Sequence, residues 1–429
     1  MPQRNSSRFL LAILVMATAS LVSADAAWAA PQLSVLYSFG TAPDGNYPAA
    51  NLVFDTSGNL YGTTVQGGAF GSGAVFKLGS SNGVLTETVL YSFCQQASCI
   101  DGSTPYGSLV VDSAGNLYGT TYEGGVYGGG VVFKLTPNPT GGWAETVVHS
   151  FGNDTDGIGP LAGVIFGRAG NLYGTTSSGG TGPSCFTGCG TVFELARAKS
   201  GQWREKVLYN FCSLPQCTDG DSPLAGLILD TAGNIYGTTE LGGTSVPNDG
   251  TAFELTQGKN GQWTETILHA FLGGTDGASP QSALVLDKVG NLYGTTVFGG
   301  NSTYGANNGT VFKLIRGANG KWTEKIVYSF CSQQNCVDGS STYAGLTIDS
   351  AGSLYGTNST GGASDWGTVF ELSPGVNGKW TDTVLHDFTG QTDGVNPHAG
   401  LVLDTTGNIY GVAYQGGIGG YGTAFKLTP

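Results

Sequence analysis

The stretch GNLYGTT at residues 58–64 returns six more times in close variants, and this repetition decides the fold. The later copies begin at Gly115, Gly170, Gly233, Gly290, Gly352 and Gly407. The intervals between copies are 55 to 63 residues, a period typical of propellers and other repeat arrays. A chain of 429 residues would by its length suggest two or three domains, whereas the repeat argues for one.

Each period contains four short segments that are rich in Val, Ile, Leu, Tyr, Phe and Thr and are bounded by Gly, Asn, Asp or Pro. These are strand signals, and nothing after residue 29 keeps a helical period beyond two turns. We name the segments A to D from the centre of the ring outward, as in residues 225–230, 234–238, 309–314 and 323–330. The sequence therefore predicts an all-β, seven-bladed β-propeller with four antiparallel strands per blade.

The two ends of the chain carry complementary parts of one blade. Residues 33–39 are a D segment with no A, B and C before it, and residues 399–428 supply A, B and C with no D after them. We expect the N-terminal strand to complete the last blade, because this closes the ring and removes two exposed sheet edges. The prediction is a single propeller domain over residues 30–429, and a monomer.

The first 29 residues are typical of a secretory signal peptide. Arg4 and Arg8 precede an apolar run, residues 9–22, and the AWA at residues 27–29 offers a small-x-small cleavage site. An uncleaved anchor is the alternative, disfavoured because 14 apolar residues are short for a membrane span. We expect a secreted, extracellular protein, or alternatively a periplasmic one, without a membrane span after cleavage.

The repeated consensus AGLVLD-x-x-GNLYGTT-x-x-GG, followed by GTVFKLTP, resembles the GloVer tandem-repeat family of exported bacterial proteins over essentially residues 33–429. The resemblance implies propeller-like repeats and export. Members of the family carry differing C-terminal anchors, and this chain shows no recognisable one. The family is defined by sequence rather than by activity, so the resemblance implies no particular reaction.

The chain has eight Cys residues, in four local pairs, for which we predict disulfides: Cys94–Cys99, Cys185–Cys189, Cys212–Cys217 and Cys331–Cys336. Three pairs follow strand D at one spacing, and the fourth lies in the longest B-to-C loop. Paired Cys residues in an exported chain favour disulfides. A zinc site would need four converging ligands, whereas these pairs lie on different blades and the chain has four His residues. We therefore predict no metal site.

Charge is scarce and is sorted by face. Charged residues make up 11% of the chain, whereas about 25% is usual in soluble domains. The formal net charge is −13. The D-to-A and B-to-C loops of a propeller share one face, which we call the top face. After residue 29, these loops hold 13 acidic residues and no Lys or Arg. Such a face repels anionic polymers, which excludes nucleic acid as a partner.

Seven of those acids belong to a repeated Asp-Gly pair: Asp44, Asp101, Asp156, Asp219, Asp276, Asp338 and Asp393. Asp before Gly sets a turn, so its presence in every blade favours a structural role. A ring of bound cations is the alternative, with Ca²⁺ as the candidate; otherwise we predict no cofactor. His149, His269 and His386 replace Tyr at one strand D position, which indicates packing with a polar tip rather than metal ligation.

Function is expected where equivalent positions differ between blades, namely after the Pro that leads into strand A and in the B-to-C loops. The candidate ligand-binding residues there are Tyr106, Tyr122, Glu123, Glu240, Tyr343, Asp365, Trp366 and His398. Aromatic rings among polar and acidic residues suit a neutral sugar or a peptide. The alternative is that these rings only cover the tops of the blades.

The sequence assigns no catalytic residue, because it contains neither a Gly-x-Ser-x-Gly elbow before a helix nor a His-Glu-x-x-His motif. We expect a binding or surface-interaction module for a neutral glycan or a cell-surface protein. One alternative is a metal-dependent hydrolase, lactonase or lyase that acts on a carbohydrate-like substrate through top-face acids. Another is a structural envelope protein. The missing motifs argue against an enzyme without excluding one.

Overall fold

The computed structural model describes residues 31–429 except 82–83, 154, 184–187, 245–247 and 306. Residues Pro31–Pro429 form one compact unit. The predicted signal peptide and Cys185 lie outside the described residues.

Seven antiparallel sheets, each with the four predicted strands A to D, confirm the predicted propeller. The A strands are Val53–Phe54, Val110–Val111, Ile165–Phe166, Ile228–Leu229, Val285–Leu286, Thr347–Ile348 and Val402–Leu403. The B strands are Leu60–Gly67, Leu117–Thr121, Leu172–Thr176, Ile235–Thr239, Leu292–Thr296, Leu354–Asn358 and Ile409–Ala413. We number the blades 1 to 7 in this order.

The outer strands are longer. The C strands are Ala74–Ser81, Val131–Pro137, Thr191–Arg197, Thr251–Gln257, Thr310–Arg316, Thr368–Pro374 and Thr423–Thr428. The D strands of blades 1 to 6 are Val84–Ser92, Trp143–Ser150, Trp203–Asn210, Trp263–Ala270, Trp322–Ser329 and Trp380–Asp387. An additional strand, Gly45–Pro48, pairs with strand B of blade 1.

The described helices are single 3₁₀ turns: Ala97–Cys99, Pro215–Cys217, Gly274–Asp276, Gln334–Cys336 and Val376–Gly378. Within the described part of the chain, therefore, no helix has the length and apolar character that crossing a bilayer requires.

The N-terminal strand closes the ring as predicted. Gln32–Ser38 pairs antiparallel with Thr423–Thr428, so that Leu33 faces Leu427 and Ser38 faces Thr423. This strand supplies strand D of blade 7.

The hydrophobic core lies between blades rather than within them. Each cluster of buried side chains in the described residues combines two neighbouring blades. Phe93, after strand D of blade 1, meets Phe133 in strand C of blade 2 edge-on, with ring centroids 4.9 Å apart. A Cβ at Gly119, in the GNLYGTT repeat, would lie 2.6 Å from the Phe133 ring, which explains why that position is Gly.

Candidate functional site

The segments that lead into the seven A strands surround a central cavity of about 390 Å³. Its wall includes every residue at the variable position before strand A: Ala49, Tyr106, Leu161, Leu224, Gln281, Tyr343 and His398. No Lys, Arg, Asp or Glu is among the described residues that line it. We call this cavity and the loops around it the channel mouth. The described lining of the cavity carries no charged side chain.

The channel mouth is asymmetric, because aromatic rings are concentrated on blades 6, 7 and 1. Tyr343 stacks on His398 with ring centroids 5.1 Å apart and planes 19° from parallel. His398 stacks on Tyr414 at 5.3 Å and 11°, and Tyr47 lies 5.2 Å from Tyr414. We call Tyr343, His398, Tyr414 and Tyr47 the aromatic row. Tyr343 and His398 line the cavity, and blades 3 and 4 contribute the aliphatic side chains Leu161 and Leu224 to it.

Tyr106 and Tyr122 bring a second aromatic pair to the rim from blade 2. Their rings are 6.3 Å apart and nearly perpendicular, and the Tyr122 side chain is exposed. Burial, with Tyr122 and Glu123 close by, raises the pKa of Tyr106. Glu123 therefore lies near the phenol of Tyr106.

Glu240 lies beside the channel wall, where it contacts Gln281. Gln281 Nε2 donates to the Glu240 carboxylate at 2.8 Å. Burial and the neighbouring charge of Asp221 raise the pKa of Glu240, although the Gln281 hydrogen bond acts in the opposite direction. Burial also raises the pKa of Asp221. Glu240 and Asp221 thus form a carboxyl pair at one point of the rim.

Among the described residues, the side chains of Asp365 and Trp366 contact their own loop and the following loop, and neither lines the central cavity. The Asp365 carboxylate accepts from the backbone N–H of Gly361 at 3.0 Å, so it holds its own loop. The Trp366 ring is 45% exposed and packs against Gly390, where a side chain would collide with the indole. Tyr106, Tyr122, Glu123, Glu240, Tyr343 and His398 lie around the channel mouth.

Tyr47 belongs to the aromatic row but is not among the candidate ligand-binding residues predicted from the sequence. Its backbone φ is +60°, and the corresponding residues of the other blades have φ between +51° and +69°. Those residues are Thr104, Gly159, Ser222, Ser279, Ser341 and Asn396. A bulky residue is uncommon and costly in this conformation, and such outliers cluster at functional sites. The signal in the sequence was a single Tyr among small residues.

The repeated Asp residues form the turns between blades, as expected. The Asp219 carboxylate accepts from the Tyr209 hydroxyl at 2.8 Å and from the backbone N–H of Ser213 and Leu214 at 2.8 and 3.1 Å. In blades with His at the Tyr position, the imidazole takes the same role, as in His149 to Asp156 at 3.0 Å. Asp101, Asp156, Asp219 and Asp338 are buried.

The count of 13 top-face acids therefore overstates the charge that this face presents to solvent. The Asp-Gly carboxylates are turned inward because backbone N–H groups and the Tyr or His of strand D donate to them. Glu123 is an exposed acid of the channel rim.

A second acid, on strand D of the next blade, approaches most of these Asp residues. These acids are Glu87, Glu145, Glu205, Glu265, Glu324 and Asp382, and each has a buried carboxyl oxygen without a hydrogen-bond partner. Burial first, then the charge of Asp101, raises the pKa of Glu145 to about 7. Burial and Asp219 raise the pKa of Glu265 to about 8.

Each strand D Tyr or His forms a group with the Asp of the following Asp-Gly pair and with the second acid from the next blade. We call each such group a seam. The seam of His386 and Asp393 has Leu33 at the position of the second acid, because the N-terminal strand supplies strand D there. The second acids have no predicted role in the sequence, because the sequence does not show that they approach an Asp of the preceding blade.

Three of the predicted disulfides are confirmed: Cys94–Cys99, Cys212–Cys217 and Cys331–Cys336. Each closes the loop whose backbone N–H groups bind the seam Asp, as Gln95 and Gln96 do for Asp101. The Cys185–Cys189 disulfide stays a prediction, because Cys185 lies outside the described residues.

The Gloeobacter/Verrucomicrobia repeat matches residues 25–184, 92–307 and 306–429. No curated protein matches the chain in sequence.

Several solved structures are similar to this chain at low identity. A proposed 6-phosphogluconolactonase from Bacteroides uniformis ATCC 8492 is 15% identical, with 86% of this chain and 98% of that chain covered and a TM-score of 0.53. A proposed 6-phosphogluconolactonase from Bacteroides fragilis NCTC 9343 is 14% identical, with 86% and 97% covered and a TM-score of 0.49. A proposed oxidoreductase (glucose dehydrogenase) from Thermus thermophilus is 13% identical, with 93% and 100% covered and a TM-score of 0.42. At 15% identity, the likeness to the first of these structures shows the fold alone.

Proposed function

This chain belongs to the Gloeobacter/Verrucomicrobia repeat family, and we propose that it is an exported binding module whose channel mouth takes a neutral carbohydrate. The observation that carries the proposal is the aromatic row, whose members Tyr343 and His398 line one side of an uncharged cavity. The three disulfides support an oxidising, extracellular location.

The chemistry of the aromatic row suits a ligand with many hydroxyl groups. Tyr343, His398 and Tyr414 stack, and Tyr47 meets Tyr414 at a tilt of 34°. The row thus brings together three phenol hydroxyls and an imidazole. Burial lowers the pKa of His398, which keeps the imidazole neutral and able both to donate and to accept. A sugar ring requires both kinds of partner around its rim.

The opposite wall suits the apolar C–H face of a sugar. Leu161 and Leu224 line this wall. The volume of the cavity, about 390 Å³, lies within the usual range of ligand pockets, roughly 300–1,000 Å³. The absence of Lys and Arg from the described lining disfavours phosphorylated and carboxylated sugars, which need a cationic partner. A neutral saccharide fits both walls.

The test is a calorimetric titration of the mature chain with a panel of neutral oligosaccharides, alongside the variants Tyr414→Ala and Trp366→Ala. We expect Tyr414→Ala to weaken binding about 10- to 100-fold, because truncating a central aromatic anchor commonly costs about 2 kcal/mol. Trp366→Ala is the matched control, since that ring belongs to a top-face loop but packs against Gly390 and is not part of the aromatic row. Failure of the whole panel to bind, or equal loss in both variants, would contradict the proposal.

A second candidate is a hydrolase of carbohydrate-like substrates, favoured by the Glu240 and Asp221 carboxyl pair. Burial raises the pKa of both carboxyls, and a carboxyl with a raised pKa suits the role of a general acid. Turnover of chromogenic glycosides or lactones by the wild type, lost in Glu240→Gln, would establish this function. Saccharide binding without turnover would support the binding module.

A further inference from the structure

We propose that His269, Asp276 and Glu324 form a site for a divalent transition-metal ion of the Zn²⁺ type, in the seam between blades 4 and 5. One ligand atom from each residue lies within 4.8 Å of the other two. Among the described residues, this is the one converging group that contains both His and carboxylates. It departs from the sequence expectation of no metal, because the third ligand comes from the next blade.

The two ligands of blade 4 and its following loop are already close to a coordinating arrangement. His269 Nε2 lies 3.1 Å from Asp276 Oδ1 and 3.0 Å from Oδ2. Two ligands of a tetrahedral Zn²⁺ ion with bonds of about 2.0–2.1 Å are about 3.3 Å apart. The backbone N–H of Leu272 donates to Oδ2, which leaves Oδ1 available to a metal.

Glu324 supplies the third ligand from strand D of blade 5. Its Oε1 atom is buried and has no hydrogen-bond partner, so the carboxyl has an unused acceptor. One carboxylate oxygen of Glu324 lies within 4.8 Å of the ligand atoms of His269 and Asp276. A buried carboxyl oxygen without a partner is costly, and a bound cation would satisfy it.

The ligand set indicates the class of metal. An imidazole nitrogen with two carboxylates suits Zn²⁺ and its first-row neighbours, whereas Ca²⁺ takes oxygen ligands. The side chains of His269 and Asp276 are 20% and 19% exposed, so solvent reaches the site and water can fill the remaining coordination position.

The other seams provide internal comparisons. Tyr37, Tyr91, Tyr209 and Tyr328 occupy the His position of four seams and offer no imidazole. The seam of His386 and Asp393 has an imidazole but Leu33 in place of the second acid. His149, Asp156 and Glu205 have the same residue types, yet their ligand atoms do not converge as closely. The proposal therefore predicts one site rather than a ring of seven.

The test uses the full mature chain with Zn²⁺ or Co²⁺ alone, followed by calorimetry and by the visible absorption of tetrahedral Co²⁺. We expect one equivalent to bind in the wild type. His269→Tyr should weaken binding about 100-fold or more by removing a ligand, since even the loss of an outer partner costs 10- to 100-fold. Tyr is native at this position in four seams and retains the hydrogen bond to Asp, so the fold should accept it.

The matched control is His386→Tyr, the same exchange in the seam that lacks a second acid, and it should bind Zn²⁺ as the wild type does. Glu324→Leu imitates the Leu33 seam and should also lose the site, which provides a second variant if the first is unstable. Absence of stoichiometric binding in the wild type, unchanged binding in His269→Tyr, or equal loss in His386→Tyr would each overturn the proposal.

Discussion

The channel mouth and the seams come from the same seven repeats, yet they use the repetition in opposite ways. In the seams, Tyr or His meets Asp in every blade with similar distances, as at 2.9 Å for Tyr91 and 3.0 Å for His149. At the channel mouth, equivalent positions carry side chains as different as Ala49, Leu161 and His398. Repetition thus builds the scaffold, and departures from it build the site.

The largest effect that tests this contrast should come from a seam Asp. Asp219 is fully buried and accepts three hydrogen bonds, so Asp219→Asn turns an amide donor toward other donors. We expect the free energy of unfolding to fall by about 3 kcal/mol, measured by denaturant titration. Asp365→Asn is the control, since that side chain accepts from the backbone of its own loop and Asn tolerates its positive φ; it should cost less than about 1 kcal/mol. An equal loss of unfolding free energy in the two variants would contradict a distinct structural role for the seam Asp residues.

A smaller effect should appear as a pH dependence of stability. Glu265 has a pKa of about 8 in the folded chain, above its ordinary value of 4.5, because burial and Asp219 oppose its charge. The folded chain therefore holds a proton that the unfolded chain releases between these values, so stability should decline as pH rises through this window. Glu265→Gln should remove about 2 kcal/mol of that decline, measured as the unfolding free energy at pH 6 and pH 8.

The control for this measurement is Glu123→Gln, which neutralises an exposed carboxyl at the channel rim. It should leave the pH dependence as in the wild type. A wild-type stability that rises between pH 6 and pH 8 would contradict the seam interpretation.

The smallest effect on stability should come from Tyr47 at the channel mouth. Tyr47→Asn relieves the cost of a bulky side chain at φ +60° but removes ring contacts with Tyr414 and Tyr421. These terms oppose each other, so the unfolding free energy should change by less than about 1 kcal/mol. Saccharide affinity should nevertheless fall about tenfold, by calorimetry, because the aromatic row loses its end. Ser279→Asn, the equivalent exchange in blade 5, should alter neither quantity.

Features that depend on local pattern were predictable from the sequence. Strand order, ring closure by residues 33–39 and the three described disulfides follow from segments whose partners lie nearby or repeat at a fixed period. The turn role of the Asp-Gly pairs was predictable for the same reason, since the side chain binds the backbone of its own loop.

The candidate site was predictable only as a set of positions. Tyr343 and His398 were predicted from the sequence because equivalent residues differ between blades. The sequence did not indicate that these rings form one row with Tyr414 and Tyr47. It also grouped Trp366 with them, whereas that ring packs against Gly390. Position within the repeat does not report which way a loop side chain turns.

The sequence by itself therefore determined the number of blades, the strands within each and the closure of the ring, because hydrogen-bond ladders and turns act over a few residues. Only the tertiary structure decided which side chains meet across blades. Glu324 approaches His269 and Asp276, and Tyr47 reaches Tyr414, because seven blades close at one radius. That radius depends on the packing of all the interfaces together, and no single repeat encodes it.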